Sequence, residues 1–271
     1  MNNKVDYHLH TYYSDGSLSP VDVVKRAKDL EYAEIAITDH DGVDGVREAQ
    51  IAGEALEVRV IAGIELAAAY SWKEEQQLDL HILGYRIDIK NKELKRELEQ
   101  IRQNRQNRND KLLAVLKNLG YELSEDDLDF EENQDYVGKP LIARAMVRRG
   151  YISHASQAFE PGRFLEAPEA KAVKKEKISL ERALELIKGA GGISVLAHPM
   201  KIKGLGQPAT EEFYENLDQL LRALKKQGLK GLECFHPSCE KEDSLRLVDL
   251  AEKYHLHITQ GSDYHGPEFE K

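Results

Sequence analysis

The chain has 271 residues, of which 41% are hydrophobic, and this suffices for one large α/β domain or for a domain that carries an insertion. Its formal net charge of -10 argues against a surface that binds long duplex nucleic acid. No apolar run is long enough to span a membrane, and the first residues form no apolar leader, so we predict a cytoplasmic location.

Strands and helices are predicted to alternate along the first ninety residues. Ser19 and Pro20 begin a helix, because serine caps a helix N-terminus and proline suits its first position. Residues 42–56 predict a second helix, and short apolar runs lie on either side of both helices. The same alternation returns at residue 179. Strands that alternate with helices of this length predict βαβ units and a parallel sheet.

The middle of the chain breaks this alternation. Residues 91–119 predict one long, heavily charged helix, and residues 140–149 predict another. Residues 164–177 are polar and predict a loop. We therefore predict that residues 91–178 form a mostly helical insertion that caps the substrate. Residues 1–90 and 179–271 would together form the main barrel domain.

A side chain that can bind a metal ion stands at the end of each of seven short apolar runs. The residues at these ends are His8 and His10, Asp39 and His40, Glu65, His81, His198, His236, and Asp263 and His265. In parallel α/β proteins, ligands bind at the carboxyl ends of the strands, which share one rim. The seven runs therefore predict one site on that rim that binds several metal ions.

The chemistry of these side chains indicates hydrolysis. Imidazoles and carboxylates without thiolates suit Mn²⁺, Fe²⁺ or Zn²⁺. His8 and His10 lie two residues apart on a strand, so both point to the same face, and Asp263 and His265 repeat that spacing. We also predict that Asp39 orients an imidazole. Two or three such ions would activate a water molecule and stabilise the charge on an attacked phosphorus.

Six motifs, which span nearly the whole chain, match one family. They are His8-Leu-His10-Thr…Ser14-Asp15-Gly, Ile37-Thr-Asp-His40-Asp, Gly63-Ile-Glu65, His81-Ile-Leu-Gly, Leu196-Ala-His198-Pro and Gly261-Ser-Asp263-Tyr-His265. In this combination the chain resembles the PHP (polymerase and histidinol phosphatase) family of metal-dependent phosphoesterases. The resemblance implies an α/β fold, a distorted (β/α)₇ TIM-like barrel with a mostly helical insertion.

The resemblance also implies two to three divalent metal ions, with Mn²⁺ favoured and Fe²⁺ or Zn²⁺ as alternatives. The implied ligands of the first ion are His8, His10, Glu65 and Asp263. The second ion would share Glu65 and bind His81 and His198. The implied ligands of the third ion are Asp15, His40 and His265. In this arrangement the catalytic residues would be Glu65, His198 and Asp263.

Within the family, the length and the insertion most resemble the branch that contains a 3′,5′-nucleoside bisphosphate phosphatase and a 5′→3′ exoribonuclease. By this resemblance, Lys139 and Arg144 match a basic substrate-binding segment, and Lys171 stands where a further basic loop residue is expected. Residues 171–175 depart from the more aromatic, proline-containing stretch of that branch. His236, which ends an apolar run, is a further candidate for contact with the substrate.

The leading hypothesis is a phosphoesterase that hydrolyses a phosphate monoester of a small nucleotide by metal-hydroxide attack. The alternatives are 5′→3′ hydrolysis of short oligonucleotides, hydrolysis of histidinol phosphate, hydrolysis of a non-phosphate substrate, and a non-catalytic PHP module. The complete set of ligands argues against the non-catalytic module. The sequence contains neither a P-loop motif nor a Gly-x-Ser-x-Gly motif. The substrate is thus expected to be small and phosphorylated, and the oligomeric state stays open.

Overall fold

The computed structural model describes residues 4–73, 76–128 and 138–267. Within these residues the strands are β1 (Lys4–Leu9), β2 (Tyr32–Ile37), β3 (Arg59–Trp72), β4 (Gln76–Tyr85), β5 (Ile178–Ser179), β6 (Ile193–Leu196), β7 (Gly231–Phe235) and β8 (His257–Gln260). The α-helices are α1 (Pro20–Asp29), α2 (Asp44–Leu56), α3 (Lys92–Asn118), α4 (Lys139–Arg148), α5 (Pro168–Ala172), α6 (Leu180–Gly189), α7 (Glu211–Gln227) and α8 (Lys241–Lys253). Short 3₁₀ helices cover Glu125–Leu128, Ala155–Phe159, Phe164–Glu166 and Pro199–Lys201.

The strands form one sheet that turns back toward its own beginning. Its order among the described residues is β1-β2-β3-β4-β6-β7-β8, and β5 pairs with β3. Leu9 forms a parallel bridge with Tyr264, and the N–H of His10 donates to the Tyr264 carbonyl at 3.0 Å. The segment after β8 therefore lies beside β1. The predicted α/β fold of the TIM-like type is confirmed.

One strand runs against the predicted direction. β4 pairs antiparallel with both β3 and β6, whereas β1, β2 and β3 pair parallel, as do β6, β7 and β8. The carboxyl end of β4 thus lies at the opposite rim, and His81 is a mid-strand residue opposite Ala67. β3 also continues beyond Glu65 to Trp72. The expectation that every metal ligand ends its strand is therefore wrong for Glu65 and His81.

The helices around the barrel begin and pack as their sequences predict. The Ser19 side chain caps α1, and Pro20 occupies the first turn. Val23, Val24 and Ala27 lie on one face of α1 and are buried in the barrel core. This spacing places apolar side chains on one stripe of the helix, and burial of that stripe is the main source of its stability.

Helix α3 joins two separate hydrophobic cores. Leu94 and Leu98 in its first half belong to the barrel core, whereas Leu112 and Leu116 in its second half belong to a second core. That second core also includes side chains from α4, α5 and the 3₁₀ helices between them. The long predicted helix is confirmed, and the domain boundary at residue 91 stays a prediction. No described helix is both long and apolar enough to cross a membrane.

Candidate metal centre

The side chains predicted to bind metals lie together at one rim of the barrel. His8 lies in β1, Glu65 in β3 and His81 in β4. The other predicted ligands lie in segments that follow a strand, and they are His10, Asp15, His40, His198, Asp263 and His265. Backbone hydrogen bonds fix this rim, since the Asp41 N–H donates to the Glu65 carbonyl and the Glu65 N–H donates to the Asp39 carbonyl.

Glu65 is fully buried at the centre of this rim, and five imidazoles surround its carboxylate. Its Oε2 lies 3.3 Å from Nε2 of His8, 3.3 Å from Nε2 of His10 and 2.9 Å from Nδ1 of His40. Its Oε1 lies 2.9 Å from Nδ1 of His81 and 3.1 Å from Nε2 of His198. The two oxygens thus face different sets of histidines, which is the arrangement that a bridging carboxylate requires.

Three groups of side chains have donor atoms that all lie within 4.8 Å of one another. These groups are His8, His10, Glu65 and Asp263; His10, Asp15, His40 and His265; and His40, Glu65 and His81. They overlap strongly with the three predicted ligand sets. His198 reaches the third group through Glu65 Oε1. The structure therefore brings all nine predicted ligands to one place, and their binding of metal stays a prediction.

The polar atoms in these groups fit divalent cations. Several buried donor or acceptor atoms have no hydrogen-bond partner among the described residues. They are Nε2 of His8 and His10, Oδ1 of Asp15, Oε2 of Glu65 and Nδ1 of His198. Leaving such groups unpaired in a protein interior is costly. Ligands about 2.1 Å from one ion lie roughly 3 Å apart, and Asp263 Oδ1 lies 3.4 and 3.3 Å from Nε2 of His8 and His10.

Mutual interactions set the protonation of these buried groups. Burial opposes ionisation of Asp263, yet His8 and His10 hold the pKa of its carboxyl well below the ordinary value. Burial also opposes ionisation of Glu65, whose carboxyl pKa His40 and His8 lower. Burial alone would lower the pKa of His10, but its close contacts with the carboxylates of Asp263 and Glu65 raise it to about 10. Binding of a cation between these groups would therefore release the proton of His10.

Glu233 supports the centre, although the sequence did not identify it. This side chain in β7 is fully buried, and its Oε1 lies 3.0 Å from Nδ1 of His8. Its Oε2 accepts a 2.6 Å hydrogen bond from the backbone N–H of His198. A carboxylate on one imidazole nitrogen orients the ring and leaves the other nitrogen to face a metal. The only sequence feature that could have pointed to Glu233 is its position as a single acidic residue inside the apolar run 232–235.

Asp39 acts differently from the prediction. Its carboxylate accepts hydrogen bonds from the Thr11 N–H at 2.7 Å, the Thr11 hydroxyl at 2.8 Å and the Ser14 hydroxyl at 2.7 Å. Ser14 Oγ in turn lies 3.4 Å from Nδ1 of His10. Asp39 therefore fixes the loop that carries Asp15, and its Ser14 contact links it to the imidazole of His10.

A cationic cleft of about 870 Å³ opens beside His81. Its basic side chains come from the middle of the chain, and they are Arg108, Lys139, Lys171, Lys174, Lys175 and Lys177. The cleft shares Gln77, Asp79, His81 and Lys177 with a cavity of about 520 Å³ over the rim. Glu166 lies in the cleft and contacts Lys139 at 3.2 Å and Lys171 at 3.3 Å. Lys139 and Lys171, two predicted substrate contacts, thus line a cleft that adjoins the rim cavity.

A buried ion-pair network connects the middle of the chain to this rim. Lys175 contacts Asp41 Oδ2 at 2.8 Å, and Arg105 from α3 binds the same oxygen. Asp41 Oδ1 accepts a hydrogen bond from the Ala67 N–H at 3.1 Å. Asp41 has a left-handed backbone, with φ of 50°, directly after His40. The network therefore fixes one wall of the cationic cleft next to a predicted metal ligand.

His236 and Arg144 lie in different surroundings. His236 Nε2 lies 3.5 Å from Asp263 Oδ2, and His236 Nδ1 accepts a 2.9 Å hydrogen bond from the Ser238 N–H. His236 also lines a third cavity, of about 890 Å³, together with Asp263 and His265. Arg144 is partly buried in α4 and lines neither this cavity nor the other two. The role of each side chain in substrate binding stays a prediction.

The whole arrangement corresponds to a known family. A family model described as PHP domain matches residues 6–235. The chain belongs to the PHP family. This PHP protein is 28% identical to a 5′-3′ exoribonuclease from Haemophilus influenzae, over 98% of this chain and 92% of the relative. It is 29% identical to a 3′,5′-nucleoside bisphosphate phosphatase from Chromobacterium violaceum, over 97% of this chain and 87% of the relative.

Solved structures support the same assignment. An amidohydrolase from Chromobacterium violaceum, solved with bound sulfate and no metal, matches with a TM-score of 0.83 and 28% identity. The match covers 97% of this chain and 88% of that chain. The family model thus confirms the predicted family, and the solved structure shares the fold of this chain.

Proposed function

We propose that this PHP protein removes a phosphate group from a small nucleotide, such as a nucleoside 3′,5′-bisphosphate, with two to three divalent ions bound at the rim. Its relatives from Haemophilus influenzae and Chromobacterium violaceum are named as hydrolases of phosphoester bonds, and this chain is a hydrolase of the same class. Mn²⁺ is the favoured ion, with Fe²⁺ or Zn²⁺ as alternatives, because the ligands are imidazoles and carboxylates without thiolates.

One observation carries the choice of substrate: the rim cavity shares part of its wall with a cleft that six basic side chains line. The cleft and the rim cavity share His81 and Lys177 in their walls. A substrate with two anionic groups could thus present one phosphate to the rim and the other to Lys139 and Lys171. Basic side chains in a cleft beside the rim favour a bisphosphate over a simple monophosphate.

The residues of the rim have distinct tasks in this proposal. The divalent ions would lower the pKa of a water molecule and neutralise charge that develops on the phosphoryl oxygens. Glu65, His198 and Asp263 would hold those ions, and Glu233 would orient His8. Lys139 and Lys171 would bind the remote phosphate. Asp41 would keep Lys175 and the cleft wall in position.

The test is release of phosphate from adenosine 3′,5′-bisphosphate by Mn²⁺-loaded protein, with the leaving phosphate identified by product analysis. We expect release of one phosphate, loss of this activity in Glu65→Gln, and unchanged activity in Lys188→Met, an exposed residue of α6. Adenosine monophosphate is the matched substrate, because it lacks the second phosphate. Equal kcat/KM for the two substrates would contradict a role of the cleft in binding the second phosphate.

A second candidate is stepwise 5′→3′ hydrolysis of short 5′-phosphorylated oligonucleotides. Its supporting observation is the further cavity of about 890 Å³ on the His236 side of the rim, which could hold additional nucleotides. A 5′-phosphorylated ribotetranucleotide distinguishes the two candidates. A higher kcat/KM for this oligonucleotide than for adenosine 3′,5′-bisphosphate would favour the exonuclease.

The remaining alternatives have less support. A non-catalytic module would be expected to lack some ligands, and all nine predicted ligands are present at the rim. Hydrolysis of histidinol phosphate would leave the cationic cleft without a second anionic group to bind. Failure of the metal-loaded protein on every nucleotide and oligonucleotide would return these alternatives to consideration.

A further inference from the structure

Lys201 lies beside the metal rim, and neither the sequence motifs nor the proposed function assigns it a role. It ends the 3₁₀ helix Pro199–Lys201, directly after the predicted ligand His198. Its Nζ donates a 2.7 Å hydrogen bond to Asp263 Oδ2. The side chain of Lys201 is 46% exposed, so its ammonium group borders both the rim and open solvent.

Asp263 divides its two oxygens between different neighbours. Oδ1 faces Nε2 of His8 and His10 at 3.4 and 3.3 Å, as expected for a shared ion. Oδ2 faces Lys201 at 2.7 Å and Nε2 of His236 at 3.5 Å. Lys201 therefore lies on the side of Asp263 that is turned away from the predicted ion. An ion held by Oδ1 would leave Lys201 in place.

Two lysines each line the rim cavity and one of the two neighbouring cavities. Lys177 lines both the rim cavity and the cationic cleft, and it pairs with Asp79 at 2.6 Å. Lys201 lines both the rim cavity and the cavity on the His236 side. A phosphate bound at the rim would thus lie beside the ammonium group of Lys201. That group carries three donors, and Asp263 Oδ2 occupies only one of them.

We propose that Lys201 binds the phosphoryl group that is hydrolysed, by donating a hydrogen bond to one of its oxygens on the His236 side of the rim. The inference rests on the proposed function, because it assumes that a phosphate group binds at the rim. Asp263 keeps the lysine in place through Oδ2, so the residue that binds the ion also positions a substrate contact. The ligand of this contact is a phosphate dianion.

The decisive experiment measures phosphate binding without turnover. Inorganic phosphate is titrated into Mn²⁺-loaded protein by calorimetry, with metal content per chain measured on the same samples. We expect Lys201→Met to weaken phosphate binding about tenfold or more, because a charge-assisted hydrogen bond is lost. Lys201→Arg should restore most of the affinity, and Lys188→Met on α6 should leave it unchanged.

The results distinguish a lysine that contacts the substrate from one that only positions Asp263. Weaker phosphate binding at normal metal content supports a substrate contact. Unchanged phosphate affinity in Lys201→Met, or loss of bound Mn²⁺ as its only effect, overturns the proposal, since Lys201 would then serve Asp263 alone. Calorimetry also distinguishes failure of one proposal from failure of the other. Phosphate binding that depends on Lys201, in a protein that does not hydrolyse nucleotides, would contradict the proposed nucleotide substrate but would still show that Lys201 contacts a phosphate at the rim.

Discussion

The metal rim and the cationic cleft are adjacent, yet they are built in opposite ways. The rim consists of buried side chains fixed by strands, and Glu65 alone contacts five imidazoles there. The lysines of the cleft lie on short helices and loops, and the side chain of Lys171 is 61% exposed. Reaction chemistry needs fixed geometry, whereas binding of a remote anion tolerates movement. Substitutions in the rim should therefore have large effects on kcat, whereas substitutions in the cleft should have small effects on KM.

The largest effect is expected at the centre of the rim. Glu65→Gln keeps the shape of the side chain but removes the charge that faces His8, His10, His40, His81 and His198. We expect turnover to fall by more than about a hundredfold, since loss of mere supporting residues already costs 10- to 100-fold. The measurements are kcat and bound metal per chain, with circular dichroism to verify folding. Glu215→Gln on the exposed face of α7 is the matched control.

Glu233→Gln should have the next largest effect, because both oxygens of Glu233 accept hydrogen bonds. His8 donates to one oxygen and the His198 N–H donates to the other, so the amide of glutamine must turn its NH₂ group toward a donor. We expect a loss of about 10- to 100-fold in metal affinity or in kcat/KM. A variant with wild-type values for both would show that the orientation of His8 does not matter.

Removal of metal should affect the stability of the rim and leave the cleft intact. Chelation with EDTA would leave ionised carboxylates and imidazoles buried without a cation. We expect Tm to fall by several degrees, because a ligand at a thousand times its Kd stabilises a protein by about 4 kcal/mol. The control is Glu65→Gln, whose Tm should respond much less to EDTA. Equal Tm with and without EDTA in the wild-type protein would contradict metal binding at the rim.

Substitutions in the cleft should change KM by small amounts, upward for the lysines and downward for Glu166. Lys139→Met and Lys171→Met each remove a positive charge, so KM for a nucleoside bisphosphate should rise a few-fold while kcat changes little. Glu166→Gln removes the carboxylate that pairs with both lysines, so KM should fall. Exposed ion pairs contribute about 0.2–1 kcal/mol, which limits each change to roughly fivefold. A fall in kcat in these variants would remove the distinction between cleft and rim.

The sequence predicted the rim better than its surroundings, for a physical reason. Ligands such as His8, His40 and His198 follow or lie in short apolar runs, and strand ends in this fold share a rim. The direction of β4 was missed, although its short connection to β3 is typical of an antiparallel hairpin. Glu233 was missed because one acidic residue in an apolar run does not reveal which groups it will meet.

The placement of side chains in the cleft and beside the rim cavity depends on tertiary structure, which the sequence pattern does not reveal. Lys201 reaches Asp263 only because a 3₁₀ turn follows His198, and His198 has a left-handed φ of 26°. Arg144 matched a family motif, yet its side chain lines none of the three cavities around the rim. The orientation of helix α4 decides which of its basic residues face the cleft.

Strand β1 and the segment after β8 meet at the rim, and this has a consequence for synthesis of the protein. The Ser262 N–H donates to Asp6 Oδ1 at 2.9 Å across 256 positions of the chain. His8 and His10 can therefore meet Asp263 only after the residues up to 263 have been synthesised. Contacts of such long range form late in folding. A chain shortened before residue 263 would lack Asp263 and His265, so an incomplete product is expected to lack two of the nine predicted ligands.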